Sequence, residues 1–430
     1  MTPRGRDKRD GERGQILALM VISLLAICAL VAVAADTGFF FDYRRRMQSG
    51  ADSAAMAGAE QLLTDLMSDA NVQSVGLKAA ESNGFKNMVD DAQVTINHPP
   101  LSGFYANRAD KNNFVEAVIT QPRPTVFMGI LGFQSATVSA RAVAGIKDSE
   151  TCVLQLNPTA PLGLNLNGGA TVNARCRIVV NSNDSDALDE GGNACMTATA
   201  IDVTGSTGGN NNCYTPAPKT GVPREPDPFA GLAAPTFSPT CDANHTNWHQ
   251  NSGTWPLQPG AYCGGITIGS AAQVTFEPGV YILYGGGFKV TGGTLSGTGV
   301  TFYNTGTATG ATKYDTISIS GGASGALKAP TSGPMATILF FQDRTLTSTL
   351  TSSQLKAKNS VGGNPSLTLE GTLYFPSTPL SFEGGSSPTG AAHYTILIAD
   401  TFVFTGSSAF NNDFTNLPDG SPLKAVALAE

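Results

Sequence analysis

The chain has 430 residues, 41% hydrophobic and only 14% charged, with 49 Gly, 25 Pro and a net charge of -7. An average soluble domain is about 25% charged, so a coiled coil and a highly charged disordered chain are excluded. The acidic balance leaves no electrostatic footprint for nucleic acid. Gly, Thr, Ser and Val in place of Glu, Lys and Leu predict a β-rich, turn-rich fold.

The N-terminus sets the topology. Eight of the 26 basic residues lie in the first 46 positions: Arg4, Arg6, Lys8, Arg9, Arg13, Arg44, Arg45 and Arg46. Between the two groups, residues 16–35 contain Ser23 as the only polar member. Twenty residues at about 1.5 Å each cover the ~30 Å hydrocarbon core of a bilayer. A cleaved signal peptide competes, with Ala32-Val33-Ala34 as its small-residue site. Its apolar core would be about 7–15 residues, shorter than this run, so an uncleaved single-pass helix over 15–36 is expected. Five basic residues before the span and three after it place residues 1–14 in the cytoplasm and 37–430 across the membrane. Cys28 lies in the span. Cys152, Cys176, Cys195, Cys213, Cys241 and Cys263 lie beyond it, an even number suited to three disulfides in an oxidising compartment. Fifteen connectivities are open, sequential pairing being the simplest.

After the span come Asp36-Thr37-Gly38, aromatic residues over 39–43 and three arginines. Met47, Ala51, Ala54, Ala55, Gly58 and Leu62 then recur at helical spacing. Most are small, so another helix could approach closely; Met47, Ala51, Asp52, Ala54, Ala55 and Gly58 form a candidate docking helix, with simple packing as the plainer reading. A second Ala-rich helix ends at Ser82-Asn83-Gly84. Residues 93–97 and 113–120 read as strands, 124–132 as a short crossover helix, and 137–144 as a closing strand. The RGQ start, the apolar span, D-x-G, RRRMQ, ADSAAMAGAE, NFVEAVIT, the short apolar segment and TVSARAVA, in this order, resemble the N-terminal region of TadE/TadG-like proteins of the tight-adherence (Flp) pilus systems over about residues 12–147. The resemblance implies a non-enzymatic pilus-assembly component in the bacterial inner membrane, acting as a periplasmic scaffold or anchor in adhesion. Its implied partners are the pilus-assembly and secretion machinery. Prepilin-like members carry a Glu five residues past the processed Gly; here Gly14 is followed by Gln15-Ile16-Leu17-Ala18-Leu19, which argues against such processing.

Beyond residue 150 short strands alternate with Gly, Asn and Ser turns. The expected organisation is a 37–147 α/β module, a disulfide-bearing β segment over 148–214, a Pro-rich linker or excursion over 215–262, and a β domain over 263–430. Seven prolines between 216 and 239 cannot join a central sheet. Strands are expected near 265–268, 274–276, 280–283, 288–290, 300–303, 317–320, 337–341, 367–370, 372–375, 380–382 and 394–404. Starts about 15–20 residues apart favour a parallel β-helix (solenoid) over a β-sandwich, whose strands recur at about 8–12 residues.

Chemical motifs are sparse. Asp343-Arg344 with Glu370 is the best carboxylate set for a membrane-tethered, polysaccharide-active β-helix enzyme; a surface adhesin with no pilus partner is the other alternative, and in the assembly reading the distal β region is a scaffold or binds pilus or envelope polysaccharide. Cys241, His245 and His249 have metal-like spacing but no evident fourth ligand. Asp184, Asp186, Asp189 and Glu190 lack the EF-hand pattern. Asp202-Val203-Thr204-Gly205-Ser206 matches a metal-dependent adhesion motif, but lies in a Gly-rich β segment and reads as a turn. No catalytic, cofactor or metal site is expected.

Overall fold

The computed structural model describes residues 12–64, 69–209, 213–307, 314–348, 350–362, 366–383, 392–418 and 420–430. The tail over 1–11 lies outside these. The chain divides into two units, one of residues up to Lys147 with Lys424–Glu430, the other Asp148–Leu423.

The first unit begins with one helix, α1 (Glu12–Thr64), about 80 Å long at 1.5 Å per residue. Its first half is bare: from Leu17 to Val33 the large apolar side chains are exposed, and this stretch is long and apolar enough to cross a membrane. Its second half is buried against α2 (Asp69–Ser82) and a sheet. That sheet orders β1 (Gln93–Asn97), β2 (Phe114–Pro124), β3 (Ser135–Asp148) and the C-terminal strand Lys424–Leu428. β1–β2 and β2–β3 are both antiparallel. The crossover helix expected over 124–132 is therefore a hairpin tip with one 3-10 turn, Met128–Leu131. The physical reason is length: a parallel crossover needs a dozen or more residues, whereas an antiparallel pair closes through a short loop. The C-terminal strand, expected to belong to the distal β domain, lies in the first unit.

The second unit is almost entirely parallel sheet. Its strands fall into three ladders. In the first, Gly279–Tyr284 pairs with Val300–Thr305, which pairs with Ile338–Gln342; the pairing continues through 371–375, Thr395–Ala399, Thr151–Gln155, Arg177–Val180 and Ala200–Val203. In the second, 266–268 leads through Phe288–Val290, Ile317–Ile319, Asn359–Gly362, Leu380–Glu383 and Phe402–Phe404 to Leu164–Leu166 and Leu188–Glu190. In the third, 273–276 is followed by Gly293–Thr298, Ala323–Lys328 and 367–370; Ser408–Phe410, Thr171–Ala174 and Cys195–Thr197 pair likewise. Successive segments thus contribute one strand to each ladder in turn. Inward residues such as Phe276, Phe288, Phe302, Phe340, Phe382 and Phe402 build one continuous core.

The second ladder alternates buried apolar with polar outward residues, as in Phe288-Lys289-Val290 and Ile317-Ser318-Ile319. The first is buried on both faces; Ile338–Gln342 and Thr395–Ala399 have no exposed residue. Its outward side chains, including Ile282, Tyr303, Phe341 and Tyr374, form a second cluster, against which Phe229, Leu232 and Phe237 pack. These three come from the Pro-rich stretch. Strand Thr246–Leu257 lies inside the region expected as linker, Gly260–Phe276 begins within it, Lys219–Thr220 pairs with Asp202-Val203, and the stretch from there to residue 241 is a strap. Arg224 donates to the Asn181 and Pro158 carbonyls. Asp227 accepts from the Tyr374 hydroxyl at 2.6 Å. Arg344 donates to the carbonyls of Phe229 and Leu232. The Phe237 ring meets those of Tyr303 and Tyr284, and Cys241 is bonded to Cys263. The strap contacts successive strands in ladder order, carrying the chain from one end of the stack to the other. Proline suits this role because the strap lies across the outward side chains and needs no ladder hydrogen bonds.

Candidate functional site

The candidate docking residues lie on the second half of α1. Met47, Ala51, Ala54 and Ala55 have no exposed surface, and Gly58 is buried. The chain itself covers them with α2 and β2. A Cβ at Gly58 would stand 2.8 Å from Val115 Cγ1 and 3.4 Å from Val72 Cγ1, so the small residues permit close packing within the unit. A docking partner has no access to this face. Asp52 is half-buried and accepts from Gln48 at 2.8 Å.

The sheet of the same unit holds a charged cluster that residue spacing did not single out. Glu116 on β2 is 1% exposed. It accepts from Arg141 Nε at 2.6 Å, Asn97 Nδ2 at 2.8 Å, the Leu101 amide at 3.1 Å and the Ser102 hydroxyl. Burial pushes its pKa up, but the donors from Ser102, Asn97, Arg141 and Leu101 outweigh this and hold it below the ordinary value. Arg141 also pairs with Glu430 at 2.9 Å, tying the chain end to β3. The signal was one acid and one base on otherwise apolar strands, FVEAVIT and TVSARAVA. The register, with Val118 opposite Arg141 and Glu116 opposite Val143, makes them diagonal neighbours.

The six distal cysteines form the sequential pairs Cys152–Cys176, Cys195–Cys213 and Cys241–Cys263, and Cys28 is free and exposed. Cys241 is thereby removed from any cluster with His245 and His249, which lie near Asp242 and Asn251. Among the described residues no group of His, Cys, Asp or Glu has the geometry to hold a metal. Asp189 has a raised pKa, from burial and from Asp186 and Glu190 beside it. Asp202 is ion-paired to Arg177 at 2.6 Å. Asp343 accepts from Thr305 and Thr345, both at 2.7 Å. Arg344 holds the strap, and Glu370 lies 3.5 Å from Lys328. Each carboxylate weighed for catalysis thus has a hydrogen-bond or ion-pair partner.

Residues 14–61 match the Flp pilus-assembly TadE/G-like family model, and residues 57–144 match the Tad-like Flp pilus-assembly model. No curated protein and no solved structure matches the chain. The two matched segments run without a gap through α1, α2 and β1 into β3, so residues 14–144 match Flp pilus-assembly family models throughout.

Proposed function

We propose that this chain is a non-enzymatic, membrane-anchored component of Flp pilus assembly. The observation that carries the reading is the coincidence of the matched region 14–144 with a unit whose leading helix is bare, apolar and long enough to span a bilayer. In this reading α1 crosses the inner membrane once, with the basic tail in the cytoplasm and the rest in the periplasm. The three ladders are the faces of a parallel β-solenoid that acts as a periplasmic scaffold or anchor in adhesion, and the pilus-assembly machinery is the partner. The polar outward residues of the second ladder offer a surface to envelope polymer.

The test is affinity capture of the detergent-solubilised chain from its host, with piliation counted in a strain lacking the gene. Co-recovery of pilus-assembly subunits and loss of pili are expected. Normal piliation without the chain would overturn the proposal. Hydrolysis or cleavage of an anionic polysaccharide, abolished by Asp343→Asn or Glu370→Gln, would replace it with the enzyme reading.

A further inference from the structure

The β2–β3 hairpin runs alongside α1 in a fixed order. Gly58 approaches Val115, and Gly50 approaches Ile119. Gln48 donates to the Arg141 carbonyl at 2.9 Å, and Tyr43 donates to Gln121. At the far end the Asp36 carboxylate accepts from the amides of Val126, Phe127 and Met128 at 2.6–3.2 Å. Moving down α1 toward its bare half therefore means moving toward the tip of the hairpin. The tip meets α1 one residue past the apolar run. From Leu17 to Asp36 the helix rises about 29 Å, close to the ~30 Å of a hydrocarbon core.

The tip is apolar where it has no protein to cover it. Val126 and Phe133 are each 62% exposed, Ile130 is 86% exposed and Phe127 42%. Phe39 and Phe41, on α1 at the same level, are 64% and 66% exposed. Looseness does not account for this. The Thr125 amide donates to Gln134 O at 3.0 Å, Phe133 N donates to Met128 O at 3.1 Å, and the Thr125 hydroxyl donates to Phe133 O. The backbone is closed on itself and clamped by a buried carboxylate, with the apolar side chains held outward. Arg123 lies over the Tyr43 ring at 4.2 Å, and Arg44, Arg45 and Arg46 stand just beyond, Arg45 and Arg46 sharing Asp42 at 3.0 Å, a net basic collar on the side away from the span.

We propose that the 125–133 tip is a second membrane contact: its side chains Val126, Phe127, Ile130 and Phe133 insert into the lipid interface beside the transmembrane helix, held there by Asp36. The occupant is lipid. The patch is continuous with a lipid-facing helix surface, and the arginine collar matches anionic headgroups. Two attachments fix the rotation and tilt of the first unit against the bilayer, which one helix alone leaves free. The inference rests on α1 spanning the membrane, as in the proposed function, but not on the pilus role.

The test uses the full chain with Cys28→Ser, reconstituted in liposomes of phosphatidylethanolamine and phosphatidylglycerol. A nitroxide is placed by Ile130→Cys, and a reference nitroxide by Ser82→Cys at the exposed end of α2. Collision rates with oxygen and with a water-soluble nickel chelate are compared. The label at 130 is expected to lose nickel accessibility several-fold relative to 82 and to gain oxygen accessibility. A third label at Leu24→Cys reports whether α1 spans, so failure of the anchor and failure of the tip are told apart. Asp36→Ala is expected to return the label at 130 to water while leaving the label at 24 in lipid. Equal nickel accessibility at 130 and 82, with 24 in lipid, overturns the proposal whether or not the Asp36 variant folds. That result would leave the tip in water.

Discussion

Replacing Arg344 by Leu tests whether the Pro-rich strap is a structural element in its own right. Arg344 donates to the Phe229 and Leu232 carbonyls and lies 5.5 Å from the Phe341 ring centre and 6.0 Å from that of Tyr374. Hydrogen bonds from a charged donor contribute about 1.5–3 kcal/mol each, and a partly exposed cation–π contact about 0.5–1 kcal/mol. The released carbonyls can reach water once the strap lifts, so the net loss is about 2–4 kcal/mol rather than the sum. That is ~30- to 700-fold in the opening equilibrium of the strap. Hydrogen exchange reads it directly. The amides of Ala230 and Leu232 are bonded to the Asp227 and Phe229 carbonyls, and the Phe229 amide to the Asp227 carboxylate. Exchange at these three should accelerate by that factor, while the first-ladder amides over 177–180 and 338–342 stay protected. Unchanged exchange at 229–232 would refute the strap's dependence on Arg344. Uniform acceleration across both sets would show that strap and ladders open as one.

Two further outcomes are expected. Glu116→Gln removes a buried carboxylate from Arg141. The cost should be about 2–3 kcal/mol, below the ~3–5 kcal/mol of a fully buried pair, because Arg141 is 23% exposed and keeps Glu430. Because the folded pKa of Glu116 lies below its unfolded value of about 4.3, its contribution is complete above that pH and is lost as pH falls through the folded value. Denaturation measured from pH 7 to pH 3 should therefore show a shallower acid loss in the variant than in the parent, and equal slopes would remove Glu116 from the argument. Gly58→Leu should cost about 1–3 kcal/mol by overpacking against Val115 and Val72; an unchanged melting temperature would show that α1 and β2 do not meet there.

Much of the first unit was legible because its signals are local. Residues 16–35 are apolar without interruption, and Met47, Ala51, Ala54, Ala55 and Gly58 repeat at helical spacing. Their pattern marks a buried face but cannot say what buries it, and here the covering elements are α2 and β2 of the same chain. The short apolar run over 124–132 reads as a crossover helix, whereas the antiparallel pairing of β2 with β3 makes it a hairpin tip. That its Val126, Phe127, Ile130 and Phe133 side chains stand exposed is visible only in the structure. In the second unit the short strands and their parallel pairing were legible from their spacing, but the order of the strands in the ladders was not. Ile338–Gln342 is buried on both faces because its outward side chains join a cluster against which the strap residues Phe229, Leu232 and Phe237 pack, and that pairing is set far along the chain. Proline density at 216–239 signals exclusion from the sheet. It does not signal the Tyr374, Tyr303 and Tyr284 side chains on which the excluded segment lies. Asp343, weighed with Arg344 and Glu370 as the best carboxylate set, accepts from Thr305 and Thr345, and Arg344 donates to the strap, partners that the spacing does not signal.

The ladders also explain how a distal unit can sit between β3 and the strand that completes the first sheet. Strand Thr151–Gln155 lies between Thr395–Ala399 and Arg177–Val180 in the first ladder. The chain therefore begins the second unit in the interior of the stack, not at its end. It lays the 177–180 and 200–203 strands outward, crosses by the strap to the opposite end, and fills back until it reaches its own start. The two ends then meet: the Ser149 amide donates to the Leu423 carbonyl at 2.8 Å, and the Ser421 amide donates to the Asp148 carboxylate at 3.1 Å. Adjacent ends are what an inserted domain requires, because its host need not deform to admit it. The region matched to the Flp pilus-assembly family stops at residue 144, within the strand from which the chain departs. Lys424–Leu428 then returns to the same sheet, where the Ala429 amide donates to the Val143 carbonyl at 2.7 Å. A unit able to give up its chain after β3 and recover it one strand later can carry a large β structure without altering the helix, hairpin and tip that precede it.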